Sequence, residues 1–154
     1  MKRMSRPGLV AGAVLAAIAI VAVLPGLARA DNAPSVPILS GPGNCGSANG
    51  GSPIGAVTLT QPKAGTLSLG VKITTPYPDF QTLRGGITVP VSVWNSTSCV
   101  PVASLGSMSL NKNGVGNGKF DWQPPCTGGS FFVGIPTLLG DVLDSLSFTV
   151  PATC

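Results

Sequence analysis

Apolar and polar residues alternate strictly over much of the chain between positions 54 and 154. The segment TLSLGVKIT, residues 66–74, is the clearest instance. Leu67, Leu69, Val71 and Ile73 fall on one side, and Ser68, Gly70, Lys72 and Thr74 on the other. In ITVPVSVW, residues 87–94, Ile87, Val89, Val91 and Val93 share a side, while Trp94 falls on the opposite one. GAVTLT contributes Val57 and Leu59 in the same way. A side-chain period of two belongs to an extended strand with one buried face. Shorter runs repeat the pattern: Met108 and Leu110, Phe120 and Trp122, Phe131, Val133 and Ile135, then Leu146, Phe148 and Val150. Pro90 has no amide proton to give a ladder, so it is expected at a sheet edge or a bulge.

Turn-forming clusters such as PYPD, RGG, NKNGVGNG and PPCTGG separate these runs. They leave about seven short strands and predict an all-β sandwich. One stretch follows another period. In IPTLLGDVLDSL the apolar residues Ile135, Leu138, Leu139, Val142, Leu143 and Leu146 recur at helical spacing, with Pro136 near the start. This predicts a short helix near 136–146, packed over one end of the sandwich. Its polar side carries Asp141, Asp144 and Ser145, so both aspartates are expected in solvent. With no cation on that side, it is poorly suited to lipid headgroups. Asp31 to Pro53 is rich in Pro, Gly, Ser and Asn, and reads as an extended N-terminal arm (31–53) ahead of a sandwich domain (54–154).

The first thirty residues look different again. A basic stretch with Lys2, Arg3 and Arg6 precedes a charge-free apolar run, Leu9 to Leu24, and then PGLARA with Ala28 and Ala30 in an A-x-A arrangement. That order predicts a signal peptide over 1–30, cleaved after Ala30, with an uncleaved membrane anchor as the alternative. The leader and the Ala/Gly/Val-heavy composition have a bacterial cast. Removing the leader changes the charge picture. Lys63, Lys72, Lys112, Lys119 and Arg84 then face Asp31, Asp79, Asp121, Asp141 and Asp144, so the net charge of +4 falls to zero. No basic patch is foreseeable, and nucleic acid is not an expected partner.

Cys45, Cys99, Cys126 and Cys154 all lie beyond the leader. An even count in an exported chain predicts two disulfides, in one of three connectivities. Alternating strand directions place the chain ends after VSVWN, KFDWQ and LSFTVPAT at one pole. This favours Cys99–Cys126 and Cys45–Cys154.

Candidate chemistry is sparse. The loop NKNGVGNG resembles a calcium loop in its asparagines and glycines. Asn111, Asn113 and Asn117 are neutral, however, and the chain has no glutamate. Hard cations need carboxylate oxygens. The two Asn-Gly pairs are hairpin signals instead. Histidine is absent, so the usual base for a serine or cysteine nucleophile is missing. No phosphate-cradling loop occurs, and Asn95 in NST reads as the polar end of a strand. No metal or cofactor is expected. The residues best suited to touch a partner are Tyr77, Phe80 and Arg84 in TPYPDFQTLRGG and the outward Trp94.

The strand count, the length and the Trp94–Cys99 region resemble, in architecture, immunoglobulin-like or fibronectin type III-like sandwiches. No cysteine stands inside the strand TLSLGVKIT, and no functional residue is carried over from that resemblance. The chain is therefore expected to be a secreted, periplasmic or cell-envelope β-sandwich without catalysis. It would serve in binding, adhesion or structure, with a protein or envelope component as its partner and no membrane contact after cleavage. The alternatives are an envelope hydrolase with a histidine-free site, and a membrane-active protein that uses residues 136–146.

Overall fold

The structure, a computed structural model, describes residues 33–81 and 86–154. The expected leader and Arg84 lie outside the described residues. Nine antiparallel strands make one sheet: β1 (Ser35–Leu39), β2 (Pro53–Lys63), β3 (Thr66–Ile73), β4 (Ile87–Asn95), β5 (Val100–Leu110), β6 (Gly116–Trp122), β7 (Gly129–Pro136), β8 (Val142–Asp144) and β9 (Phe148–Val150). Their order is β1-β2-β3-β6-β5-β4-β7-β8, with β9 also paired to β7. Two weak joints bend this sheet into a nearly closed barrel. β5 and β6 share the single paired position Leu110–Gly116. At the other end, Ile38 of β1 bridges to Ser145 just past β8.

The alternation read from the sequence is the reason these strands exist. Leu67, Leu69, Val71 and Ile73 of β3 turn into the barrel, as do Val89, Val91 and Val93 of β4. Met108, Trp122, Phe131, Phe148 and Leu143 fill the space between them. Trp122 meets Phe131 and Phe148 edge-on, at ring separations of 5.0 and 6.5 Å, the tilted geometry that aromatic quadrupoles favour. Pro90 pairs with Ser107 of β5, at a position where β4 has no partner on its other flank among the described residues, since β7 pairs only with Ser92–Asn95.

Three expectations are corrected here. The segment 136–146 is a β-hairpin, not a helix. Ile135 pairs with Leu143, and Pro136 with Val142. Gly140 adopts φ +94°, its amide donates to the Thr137 carbonyl at 3.2 Å, and the Thr137 amide donates to the Asp141 carbonyl at 2.7 Å. A left-handed glycine at the end of a short loop is what a tight β-turn needs. The helical spacing of the leucines was coincidental to that turn. Leu143 is fully buried, whereas Leu138 and Leu139 stand 63% and 76% exposed.

The expected arm is in part a strand. Ser35–Leu39 pairs with β2, and Val36, Ile38 and Leu39 are buried. Pro34 and Pro37 obscure the pattern in the sequence, but at a sheet edge proline costs little. Only the following loop, residues 40–52, runs free of the sheet.

The disulfides join Cys45 to Cys99 and Cys126 to Cys154, with Cα separations of 5.2 and 5.0 Å. The expected pairing overlooked β9. This strand lies beside the start of β7, so the C-terminus returns to the β6–β7 turn, where the Thr153 amide donates to the Cys126 carbonyl at 2.7 Å. Cys45 meanwhile crosses to the β4–β5 hairpin. Peptide mapping under non-reducing conditions should recover these two linkages and no Cys99–Cys126 product. Opening the 54-residue span should cost about 4 kcal/mol and the 28-residue span about 3.5 kcal/mol in the chain-entropy description, measured by denaturant unfolding of the paired Cys→Ser variants.

Candidate functional site

Strands β4 and β7 carry an apolar cluster on their outer face, separate from the barrel core. Trp94 and Phe132 are paired across the strands, and their rings stack at 5.9 Å with an interplanar angle of 24°. Phe132 is only 1% exposed, although its neighbours Phe131 and Val133 point the other way, into the core. The indole lies across Gly134, where an added Cβ would come within 2.6 Å of Trp94 Nε1. That indole N–H is buried and has no hydrogen-bond partner among the described residues.

The 40–52 loop covers this cluster, and its fit is tight. Gly46 has φ +76°, and a Cβ there would approach Phe132 Cβ to 2.7 Å and collide with Ser147 Oγ. The Gly46 carbonyl accepts from the Ser147 amide at 2.8 Å and from Ser147 Oγ at 3.0 Å. Cys45 and Cys99, the two halves of one bridge, both sit in the left-handed region, at φ 54° and 58°.

Asp144, at the end of β8, holds the loop from the other side. It is 4% exposed, so the expectation that it faces solvent is corrected. The side chain follows strand geometry, not helical geometry. Its Oδ2 accepts from the Gly46 amide at 3.2 Å. Burial pushes its pKa above the ordinary 3.8, against the opposing pull of the Gly46, Asn44 and Cys45 amides. Desolvation disfavours a charge, and hydrogen bonds to the charged form favour it; here desolvation wins. Gly43 packs on the same carboxylate, where a Cβ would stand 2.8 Å from either oxygen.

Between the loop and the β7–β8 hairpin lies a shallow cleft of about 280 Å³, lined by Trp94, Phe132, Cys45, Asp141, Asp144 and neighbouring backbone. The exposed leucines of the hairpin are not part of this lining, but Leu139 adjoins Gly140, which is.

The residues picked from the sequence fare unevenly. Trp94 is part of the cleft. Phe80 is fully buried and belongs to the core, so it is no contact residue; it ends a 3-10 turn, Pro78–Phe80, that folds it inward. Tyr77 is half-buried, tilted against Phe80 at 5.8 Å, and its hydroxyl accepts from the Gly41 amide at 3.4 Å. Both brace the fold. The turn joining β5 to β6 takes only residues 111–115, with Asn113-Gly114 at its tip; the second Asn-Gly pair, Asn117 and Gly118, expected as a hairpin signal, lies inside β6 and pairs with Lys72 and Val71 of β3. Asn111 Oδ1 accepts from the Asn113 and Val115 amides at 2.9 and 3.2 Å, so it is already engaged by its own backbone. Among the described residues, no three His, Cys, Asp or Glu side chains gather as a metal site. Asp144, Phe132 and the two leucines were missed. Gly140 next to Asp141, midway between Ile135 and Leu143, is the turn signal that would have found the hairpin.

Two measurements check this geometry. Gly46→Ala should cost about 3 kcal/mol, from the left-handed backbone together with the collision. Gly50→Ala, with a similar φ of 78° and nothing within 4 Å, should cost about 1 kcal/mol. For Asp144, the raised folded pKa means that the native state holds the proton more tightly than the unfolded chain. Stability from this group is therefore greatest below 3.8, falls as pH rises through the folded value, and then levels off. Wild type should lose stability relative to Asp144→Asn over that window, as read from urea midpoints from acid pH to neutrality. No protein family, curated protein or solved structure matches the chain.

Proposed function

We propose that the chain is a non-catalytic binding module that works outside the cytoplasm, attached to or near the cell envelope, and that its contact surface is the β7–β8 hairpin pole. The observation carrying this reading is the pair Leu138 and Leu139, the most exposed large apolar side chains among the described residues. The central positions of a turn suit Pro, Asp, Asn, Ser or Gly, so nothing local calls for leucine there. Two adjacent leucines left in water, on a hairpin fixed by Gly140, fit a surface that is covered in use. The two disulfides fit an oxidising compartment. In fold terms, β1-β2-β3-β6 and β5-β4-β7-β8 are paired, among the described residues, only at Leu110–Gly116 and Ile38–Ser145, which supports an immunoglobulin-like, two-sheet description.

The free flank of β5 is a weaker contact surface. Its ladder with β4 skips Leu105 and Val102, and Pro101 lies between them and the strand's start. Bulges and proline are devices that blunt an edge. The hairpin leucines also suit a membrane-active reading. Against it, residues 136–144 contain Asp141 and Asp144 and no Lys or Arg, the reverse of what interfacial segments carry.

Burying one leucine fully is worth about 1.5–3 kcal/mol. Leu138→Ser/Leu139→Ser should therefore weaken partner binding by about tenfold to a hundredfold and leave the melting temperature unchanged. Affinity capture from the producing cell's envelope fraction, with wild type and the double variant side by side, tests this. A defined species held by wild type and released by the variant is the expected outcome. Identical retention by both proteins would remove the hairpin pole as the contact surface.

A further inference from the structure

We infer that the hairpin pole recognises a peptide segment in which a lysine or arginine is flanked by apolar residues, with Leu138 and Leu139 covering the apolar flank and the Asp141–Trp94 cleft receiving the cation. The inference rests on the hairpin pole being the contact surface, and it adds the chemistry of what that surface takes.

The charge distribution carries it. The carboxylates of Asp141 and Asp144 both line the cleft, and no lysine or arginine stands among its described lining residues. The lysines are elsewhere. Lys63 ends β2, Lys72 is on β3, Lys119 is on β6, and Lys112 is in the β5–β6 turn. The described ammonium groups therefore lie along β2, β3 and β6 and in the β5–β6 turn, with Asp121 among them on β6, while at the β7–β8 end Asp141 is the exposed carboxylate and Asp144 is taken up by the loop amides. A cation brought to that end is set apart from these four lysines and gains Asp141, which is exposed.

The walls of the cleft complete the match. Half-buried Trp94, with Phe132 stacked behind it, forms an aromatic side to an acidic mouth, and an aromatic ring with a carboxylate nearby gives the surroundings in which ammonium and guanidinium groups are held. The two leucines beside that mouth require apolar surface on the same ligand, which a free metal ion or a small amine does not offer. A second copy of the chain fits poorly, because its own Asp141 would enter a cleft already bearing two carboxylates. An anionic lipid surface is repelled on the same ground. A peptide with a basic residue between apolar ones satisfies both features at once.

The test uses defined probes and the isotopically labelled protein without its leader. The acetylated, amidated tripeptide Leu-Arg-Leu is titrated against its uncharged counterpart Leu-Gln-Leu, following the Trp94 indole N–H and the backbone amides of Leu139 to Asp141. Saturable shifts confined to these groups are expected, with Leu-Arg-Leu binding about fivefold tighter, the size of a partly exposed ion pair plus a cation–π contact. Asp141→Asn should erase that preference, and Asp121→Asn, on β6, should leave it intact. Equal binding of the two peptides overturns the cation but leaves the leucine contact standing. Absence of response to both overturns the inference altogether. Vesicles of phosphatidylcholine are the remaining arm. If they carry the protein down through Leu138 and Leu139 while the peptides produce no shift, the partner is a membrane and the inference fails. The hairpin reading itself fails separately, if envelope capture is insensitive to the leucines.

Discussion

A single buried carboxylate organises the β7–β8 end of this barrel. Asp144 takes its place because β8 turns its side chain away from the core and towards the 40–52 loop. There it meets backbone amides, not water. Without that anchor the loop would keep the Cys45–Cys99 bridge, the Ser147 contacts and the Gly41–Tyr77 hydrogen bond. With the loop in place, Phe132 is covered, Trp94 gains a stacking partner on a fixed wall, and the cleft exists. A loop rich in Gly, Ser and Asn has little apolar surface of its own to bury. Its order comes from polar contacts to a group that the desolvated setting makes costly to leave unpaired.

The strands beneath were largely legible, though not the nearly closed sheet they make, which the sequence presented as a sandwich. Period-two alternation identified the inward residues of β2, β3, β4 and β7, because a half-buried strand cannot hide which face it buries. The Asn-Gly hairpin was legible for a local reason, as the turn chemistry lies within a few adjacent residues. The failures share a different cause. Leu138, Leu139, Val142 and Leu143 fit a helical stripe and a hairpin equally well over so short a span, and only cross-strand pairing to Ile135 and Pro136 decides between them. The cystine pairing likewise depended on β9, a strand of three residues whose position beside β7 no local pattern announces.

The β7–β8 end was least legible, again for a physical reason. Phe132 alternates out of phase with its core neighbours, so its sequence position says solvent, and only a loop some ninety residues earlier turns it into buried surface. Asp144 inherits the same ambiguity. Phe80 erred in the opposite direction: an aromatic residue among turn formers looks free, but a brief 3-10 turn is enough to swing it inward. Distant parts of the chain decide all three environments.

The backbone at the Cys45–Cys99 link carries a consequence for anyone wishing to work without that crosslink. Both half-cystines occupy a region of conformational space where a side chain is unwelcome and hydrogen is not. Serine or alanine in their place would inherit the torsional penalty and lose the sulfur bond that offsets it. Glycine at both sites would relax the torsions on the folded side while loosening the unfolded ensemble. The better thiol-free scaffold is thus the pair of replacements that looks more disruptive on paper.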